Sequence, residues 1–312
     1  MSCKYCQSPN LIRFGIRKGV QYYWCKSCKR KFVPDTLPKM KTPTKIVASA
    51  LGSYFGGMPL DAVQRQIQQD YGLSMSEVGI YKWVTRFSEQ AVKQARTFKP
   101  KVGDVWLADE TVIKVGGRNI WFWDMIDRNS RFLLASRLSF TRTIKDAALL
   151  MKDAVDRAGK MPKAIITDKL AAYVDGIELV CGANTKHIQS KPFTDENSTN
   201  IIERFHGTLK ERTDVVRGFK NLPMARLLTE AWLVHYNFFK EHTTLGDIPP
   251  AQKMGVPVPF HDWREVLEPP LAVPATRPIS FGRLKATKPQ PQRTRVRRQR
   301  PLTPSLARIR TK

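Results

Sequence analysis

The chain has 312 residues, 42% of them hydrophobic, and its 53 Lys and Arg stand against 27 acids for a formal net charge of +26. That supports a real core with room for two or three domains, and it excludes a wholly disordered chain. The surplus points to a polyanion, nucleic acid ahead of an anionic membrane surface: no apolar run is long enough to span a bilayer, and the opening MSCKYCQSPN has no signal-peptide core, so a soluble cytoplasmic protein without a membrane partner is expected.

Residues 1–36 read as a zinc ribbon. Cys3, Cys6, Cys25 and Cys28 form C-x2-C-x18-C-x2-C, inside the spacing range of structural Zn²⁺ sites. Two disulfides are the alternative, disfavoured where the compartment keeps thiols reduced. Phe14, Tyr22, Tyr23, Trp24 and Phe32 are too few apolar residues for folding unaided, so coordination would supply the missing stability. Nine Lys and Arg from Lys4 to Lys39 against Asp35 alone suit a DNA contact, with a protein contact as the other reading. Cys181 stands apart and reads as an inert, partly buried thiol.

Residues 37–98 read as an α-helical helix-turn-helix domain. A first helix should run from Thr44 towards Phe55 and stop at Gly56 and Gly57. Pro59 opens a second, with Val63 and Ile67 inward and Gly72 as its C-terminal cap. Ser76 caps a third, in which Ile80, Trp83, Val84 and Phe87 follow helical spacing. Glu77, Tyr81, Lys82, Thr85 and Arg86 are then exposed. Ser76, Tyr81, Lys82, Thr85 and Arg86 are the candidate DNA-binding residues of a recognition helix. A linker domain with a solvated face is the alternative.

Residues 99–255 should form an α/β domain. VWLADETVIKV, NIWFWDMID and RFLLASRLSF read as strands joined by the hairpin-like turns KVGGRN and DRNS. TIKDAALLMKDAVDRAG reads as a helix, KAIITD and HIQ as further strands, and NSTNIIERFHGTLKERT and ARLLTEAWLVHYNFF as helices. Three strands in succession, then alternating helices and strands, suit a mixed sheet flanked by helices. Residues 256–312 read as a proline-rich basic tail. Beyond Glu268 there is no acid but twelve Lys and Arg, and Arg295, Arg297, Arg298 and Arg300 suit sequence-independent phosphate contacts. A solubilising tail is the alternative.

Three acids stand out. Asp109 falls on the apolar side of a strand, with Val105, Leu107, Thr111 and Ile113, where an unpaired charge costs several kcal/mol. Asp168 ends the apolar run AIIT. Glu203 shares a helical stripe with Asn200, His206 and Lys210. Gathered carboxylates repel unless a divalent cation neutralises them, which makes a metal site the economical reading. His206 and Asn200 rank lower, since a surface histidine on a helix is more often structural.

ADETVIKVGGRNIWFWDMIDRNSRFLLA, AIITDKLAAY, NIIERFHGTLKERTDVVRGFK and HYNFFKEHTTLGDIPPAQKMG resemble the DDE transposases of prokaryotic insertion sequences, whose cores look like ribonuclease H and retroviral integrase. The resemblance covers roughly residues 100 to 255. It implies a ribonuclease H-like catalytic domain with Asp109, Asp168 and Glu203 holding two Mg²⁺ (or Mn²⁺). Asp109 would be shared between the ions, and Asp168 and Glu203 would each hold one. Lys210, seven residues past Glu203, stands where the family places a basic residue and would hold a phosphate. The implied activity is cleavage at element ends followed by strand transfer. Its partners would be double-stranded DNA, as terminal inverted repeats and target, and a second copy of the chain, in the nucleoid-associated cytoplasm of a prokaryote. The alternatives are an inactive DDE-derived zinc-ribbon and helix-turn-helix regulator, and a plain nuclease.

Overall fold

The computed structural model describes residues 1–17, 20–37, 40–190, 199–216 and 218–268. The arginines expected in the basic arm, Arg295, Arg297, Arg298 and Arg300, lie outside the described residues. No helix among the described residues is long and apolar enough to cross a membrane.

At the N-terminus, β1 (Leu11–Arg17), β2 (Val20–Cys25) and β3 (Lys31–Phe32) form an antiparallel sheet in that order. Its interior is Cys3, Cys25 and Phe32, with Tyr5, Leu11, Tyr23 and Cys28 around them. So small a core falls short of the conformational entropy of ordering the segment, as its composition implied.

Three helices follow: α1 (Thr44–Phe55), α2 (Leu60–Tyr71) and α3 (Glu77–Ala95). Their ends obey local chemistry. Gly72 closes α2 at φ +61°, and the Ser76 hydroxyl accepts the Gly79 N–H at 3.1 Å to start α3. Ile80, Trp83, Val84 and Phe87 are buried as their spacing required. Glu77, Lys82 and Arg86 are exposed, but Tyr81 and Thr85 are half-buried. The stripe is wider than the sequence suggested because α3 packs on α1, α2 and a later helix at once.

The α/β part carries β4 (Val105–Val115), β5 (Arg118–Asp127), β6 (Leu133–Ser139), β7 (Ala164–Thr167) and β8 (Lys186–Gln189) in the order β6-β5-β4-β7-β8. The β4–β5 and β5–β6 pairs are antiparallel, and β4–β7 and β7–β8 are parallel. The mixed sheet is therefore the one expected. Gly116 and Gly117 both take positive φ, as the tight hairpin between β4 and β5 requires. At the next turn the buried Asp127 accepts hydrogen bonds from Gly103 N–H, Ser130 N–H and the Ser130 hydroxyl.

Flanking and following the sheet are α4 (Ile144–Ala158), α5 (Ala171–Cys181), α6 (Asn200–Val215), α7 (Leu222–Phe238), α8 (Pro250–Lys253) and α9 (Trp263–Leu267). On β4 the expected alternation appears only at its far end, where Val112 and Lys114 are exposed. Trp106, Leu107, Ala108, Glu110 and Thr111 are all buried, because α6 covers one face while Tyr173 of α5 reaches the other. Helix α5 was not anticipated. Gly176 weakens its helical signal, yet a Cβ there would lie 2.8 Å from the Ala147 Cβ of α4, so glycine is what lets the two helices approach. The expected tail from residue 256 also differs: Phe260, Trp263, Val266 and Leu267 are buried, and Trp263 stacks on Phe55 at 4.8 Å. Five residues, WREVL, are enough to lay an apolar face on α1 and α3.

Gly176→Val should destabilise the fold by about 1–3 kcal/mol through overpacking, despite the relief of glycine's backbone entropy. Gly207→Ala on α6, where an added Cβ meets open space, should instead stabilise by about 0.5–1 kcal/mol. Denaturant titrations of the two variants check the opposite signs.

Candidate active site

Two aspartates meet because of strand register. β4 and β7 run parallel and pair up to Leu107↔Ile166, and Asp109 and Asp168 each lie two residues further on. Oxygens of Asp109, Glu110 and Asp168 all lie within 4.8 Å of one another. Glu110 was not anticipated. It is 8% exposed, accepts the Tyr173 hydroxyl at 2.6 Å and is paired with Arg142. Arg142 also lies 3.8 Å from Asp168, with its guanidinium over the Trp121 ring at 4.8 Å. The acidic dipeptide Asp109-Glu110 was the available signal for Glu110. Arg142 had none, since a loop between strand and helix does not reveal what it faces.

On the face covered by α6, Asp124 lies directly across from Asp109 in the β4–β5 register and is fully buried. Its carboxylate sits 2.7 Å from Nε2 of His206, while Nδ1 of the same ring is 3.6 Å from Asp109. One buried imidazole thus lies between the buried Asp124 carboxyl and the half-buried Asp109 carboxyl. Burial pushes Asp109 up to about 7; His206 opposes the rise and Asp124 adds to it. Burial likewise raises Asp124 to about 6, against the pull of His206. For His206 burial alone would lower the pKa, but Asp124 and Asp109 outweigh it and raise it. The sequence ranked His206 low as a surface residue; the structure buries it.

Glu203, on the first turn of α6, is exposed and accepts the Thr199 hydroxyl at 2.9 Å. It stands outside the cluster of Asp109, Glu110 and Asp168, and residues 191–198 just before α6 lie outside the described residues. Lys210 is exposed, and its charge opposes protonation of His206. The structure therefore joins Asp109 to Asp168 and to His206, and leaves Glu203 apart from the cluster.

Asp109, Glu110 and Asp168 are hard oxygen donors, the set that suits Mg²⁺ or Mn²⁺. The four ribbon cysteines fit a different ion. Their Sγ atoms lie within 4.8 Å of one another, with Cys3–Cys28 at 3.6 Å and Cys6–Cys25 at 3.5 Å. Tetrahedral Zn²⁺ with ~2.3 Å bonds sets sulfurs about 3.8 Å apart, far longer than the ~2.05 Å of a disulfide. The four cysteines are free, and they suit a zinc ribbon.

A mixed sheet that brings strand-borne aspartates together, close enough to share a cation, defines an acidic α/β domain. Residues 103–242 match the model of a family described as a DDE domain, and this part of the chain is a DDE domain, in keeping with the insertion-sequence transposases that its words resemble. No curated protein matches the chain. Among solved structures, it is similar to the HTLV-2 integrase catalytic core domain in complex with magnesium at 19% identity and a TM-score of 0.39, covering 50% of this chain and 98% of that one. A chain of the simian T-cell lymphotropic virus intasome in complex with PP2A regulatory subunit B56 gamma matches at 17% identity and a TM-score of 0.40, covering 67% of this chain and 75% of that one. The catalytic core domain of BIV integrase matches at 18% and 0.37, covering 49% and 93%.

A carboxyl raised in the fold holds its proton more tightly there than in the unfolded chain. Asp109 therefore stabilises the fold most below the ordinary carboxylate range, and that contribution drains away as pH rises to about 7. A cation must displace this proton. The rise in Tm on adding Mg²⁺ or Mn²⁺ should be small at pH 5.5 and grow up to pH 8, measured by differential scanning calorimetry; a pH-independent rise would contradict it. Cys6→Ser should abolish stoichiometric zinc binding and unfold the ribbon while leaving the helical and α/β core folded, as read by zinc analysis and limited proteolysis.

Proposed function

We propose that the chain is an insertion-sequence transposase that binds the ends of its element and catalyses metal-dependent strand cleavage and strand transfer. The observation that carries the reading is the meeting of Asp109 and Asp168 at the same level of two adjacent parallel strands, inside a DDE domain. Asp109 would be shared by two cations, with Asp168 holding one of them and Glu203, assigned by family resemblance, the other. Divalent cations supply charge neutralisation and an acidified water at a phosphodiester. The protein's own residues do the remaining work. Asp124 anchors His206, which faces the Asp109 carboxyl, and Arg142 and Tyr173 fix Glu110. Lys210, exposed on the same helix as Glu203, binds a nearby phosphate.

In this reading water first attacks at the element end and leaves a 3′-hydroxyl, which then attacks target DNA in the same pocket. The α2–α3 pair acts as a helix-turn-helix, with Ser76, Tyr81, Lys82, Thr85 and Arg86 towards the terminal inverted repeats. Lys82 and Arg86, fully exposed, carry most of that contact. The basic arm adds salt-sensitive phosphate binding, and two ends are brought together by a dimer or larger assembly in the nucleoid-associated cytoplasm.

Asp109→Asn should lower cleavage and strand transfer by more than about 100-fold, beyond the range typical of outer-layer partners, while DNA binding persists. Gel assays with labelled element ends and supercoiled target test it. Undiminished cleavage would refute the assignment of Asp109. Wild-type cleavage without joining would mark a nuclease, and binding without cleavage a regulator.

A further inference from the structure

The ribbon has two unlike faces. One carries its small core, where Tyr23 pairs with Phe32. On the other, Ile12 lies opposite Trp24 in the strand register, and the Phe14 and Trp24 rings stack at 5.9 Å. A β-bulge between Arg13 and Gly15 brings Phe14 onto this face. Lys31, paired with Trp24 across β3, places its ammonium 3.7 Å from the centre of the Phe14 ring. Beside it, Phe14, Tyr22, Lys31 and the side-chain-free Gly15 line a concavity of about 210 Å³. This face serves no core: Phe14 is 43% exposed and Ile12 is 41% exposed.

We propose that this outer face of the ribbon binds unpaired nucleobases of DNA, stacking them on Phe14, Tyr22 and Trp24. Charge complementarity selects the occupant. From Lys4 to Lys39 the segment holds nine Lys and Arg and one acid, so a second ribbon would bring like charge to like charge, whereas a nucleic-acid strand brings phosphates. Ring chemistry selects the strand's state. Inside a duplex each base is covered above and below, and only edges and phosphates are offered. A flat aromatic platform finds a free π-face only on an unpaired base, and a cation beside it engages the adjoining phosphate. Strands opened at a cut end are such a ligand; the proposal takes from the transposase reading only that DNA is the polyanion.

The test uses zinc-loaded full-length protein with no added Mg²⁺ or Mn²⁺, so that binding is read whether or not the acidic site cleaves. Equal-length single-stranded and duplex oligonucleotides carry 2-aminopurine, whose fluorescence changes on stacking. Phe14→Ala should weaken single-strand binding by about 5- to 100-fold and abolish the fluorescence change. Duplex binding, carried by phosphate contacts, should fall less than about twofold. Zinc content confirms that the ribbon is intact; should Phe14→Ala lose zinc, Tyr22→Ala gives the same comparison. Equal losses on both DNAs would show that the face serves only general attachment. No loss on either would leave it to an acidic protein partner. Either result overturns the proposal.

Discussion

Like-charge crowding around Asp109 is the constraint that organises the α/β domain. Asp109, Glu110 and Asp168 bring their oxygens within 4.8 Å, and Asp124 sits buried behind Asp109. Four carboxyls so placed cannot all ionise without compensation. The fold supplies it from opposite faces. Arg142 lies between Glu110 and Asp168, and Tyr173 donates to Glu110. His206 takes Asp124 and faces Asp109. Asp109 keeps the 3.6 Å approach of His206, yet burial still raises its carboxyl to about 7. A carboxyl held up in this way gains from a divalent cation that neutralises it.

The helix that carries Glu203 and His206 is not free to drift. Arg212, further along α6, is 6% exposed, stacks on the Tyr54 ring of α1 at 3.9 Å and donates to the Met58 carbonyl before α2. Burying a guanidinium without a carboxylate is costly, so the contact persists only because the surrounding packing holds it. The C-terminal turn of the described chain reinforces the same junction. Gln90 of α3 donates to the Val266 carbonyl at 2.6 Å, and Trp263 stacks on Phe55. The N-terminal helices and the sheet domain therefore share one hydrophobic core, and a load on α3 reaches α6 through packed side chains.

What the sequence made legible follows from which signals are local. Cysteine spacing, glycine stops at Gly72 and Gly159, the Ser76 cap and the strand and helix periods all act within a few residues, and the elements they mark are present. Asp109 and Asp168 stood out because a carboxylate on an apolar strand is locally anomalous. Asp124 is more deeply buried but sits in NIWFWDMID, where a run apolar on both faces hides which side an acid takes. Burial of His206 depends on α6 lying against β4, a long-range fact. Helix α5 was silent because Gly176, which its packing on α4 demands, is the residue that argues against a helix when read alone. WREVL was absorbed into the tail because its neighbours downstream are basic and proline-rich.

If the proposed function holds, a chain of net charge +26 with a cluster of carboxyls in its α/β domain would present DNA with two opposed fields. Basic surfaces attract the backbone from any direction, and that attraction carries no positional information. At the pocket the carboxylates repel the same phosphates, so an approach to Asp109 and Asp168 is unfavourable while those groups are ionised and unneutralised. Protonation of Asp109 relieves part of this but removes a ligand, whereas a divalent cation relieves it and keeps the ligand in place. On that reading, occupancy of the acidic cluster and entry of a phosphodiester would be coupled free energies, each favouring the other by the same amount. The raised carboxyl of Asp109 would be the link in that coupling, because its protonation state decides whether the cluster would meet DNA as a repulsive surface or as a binding one.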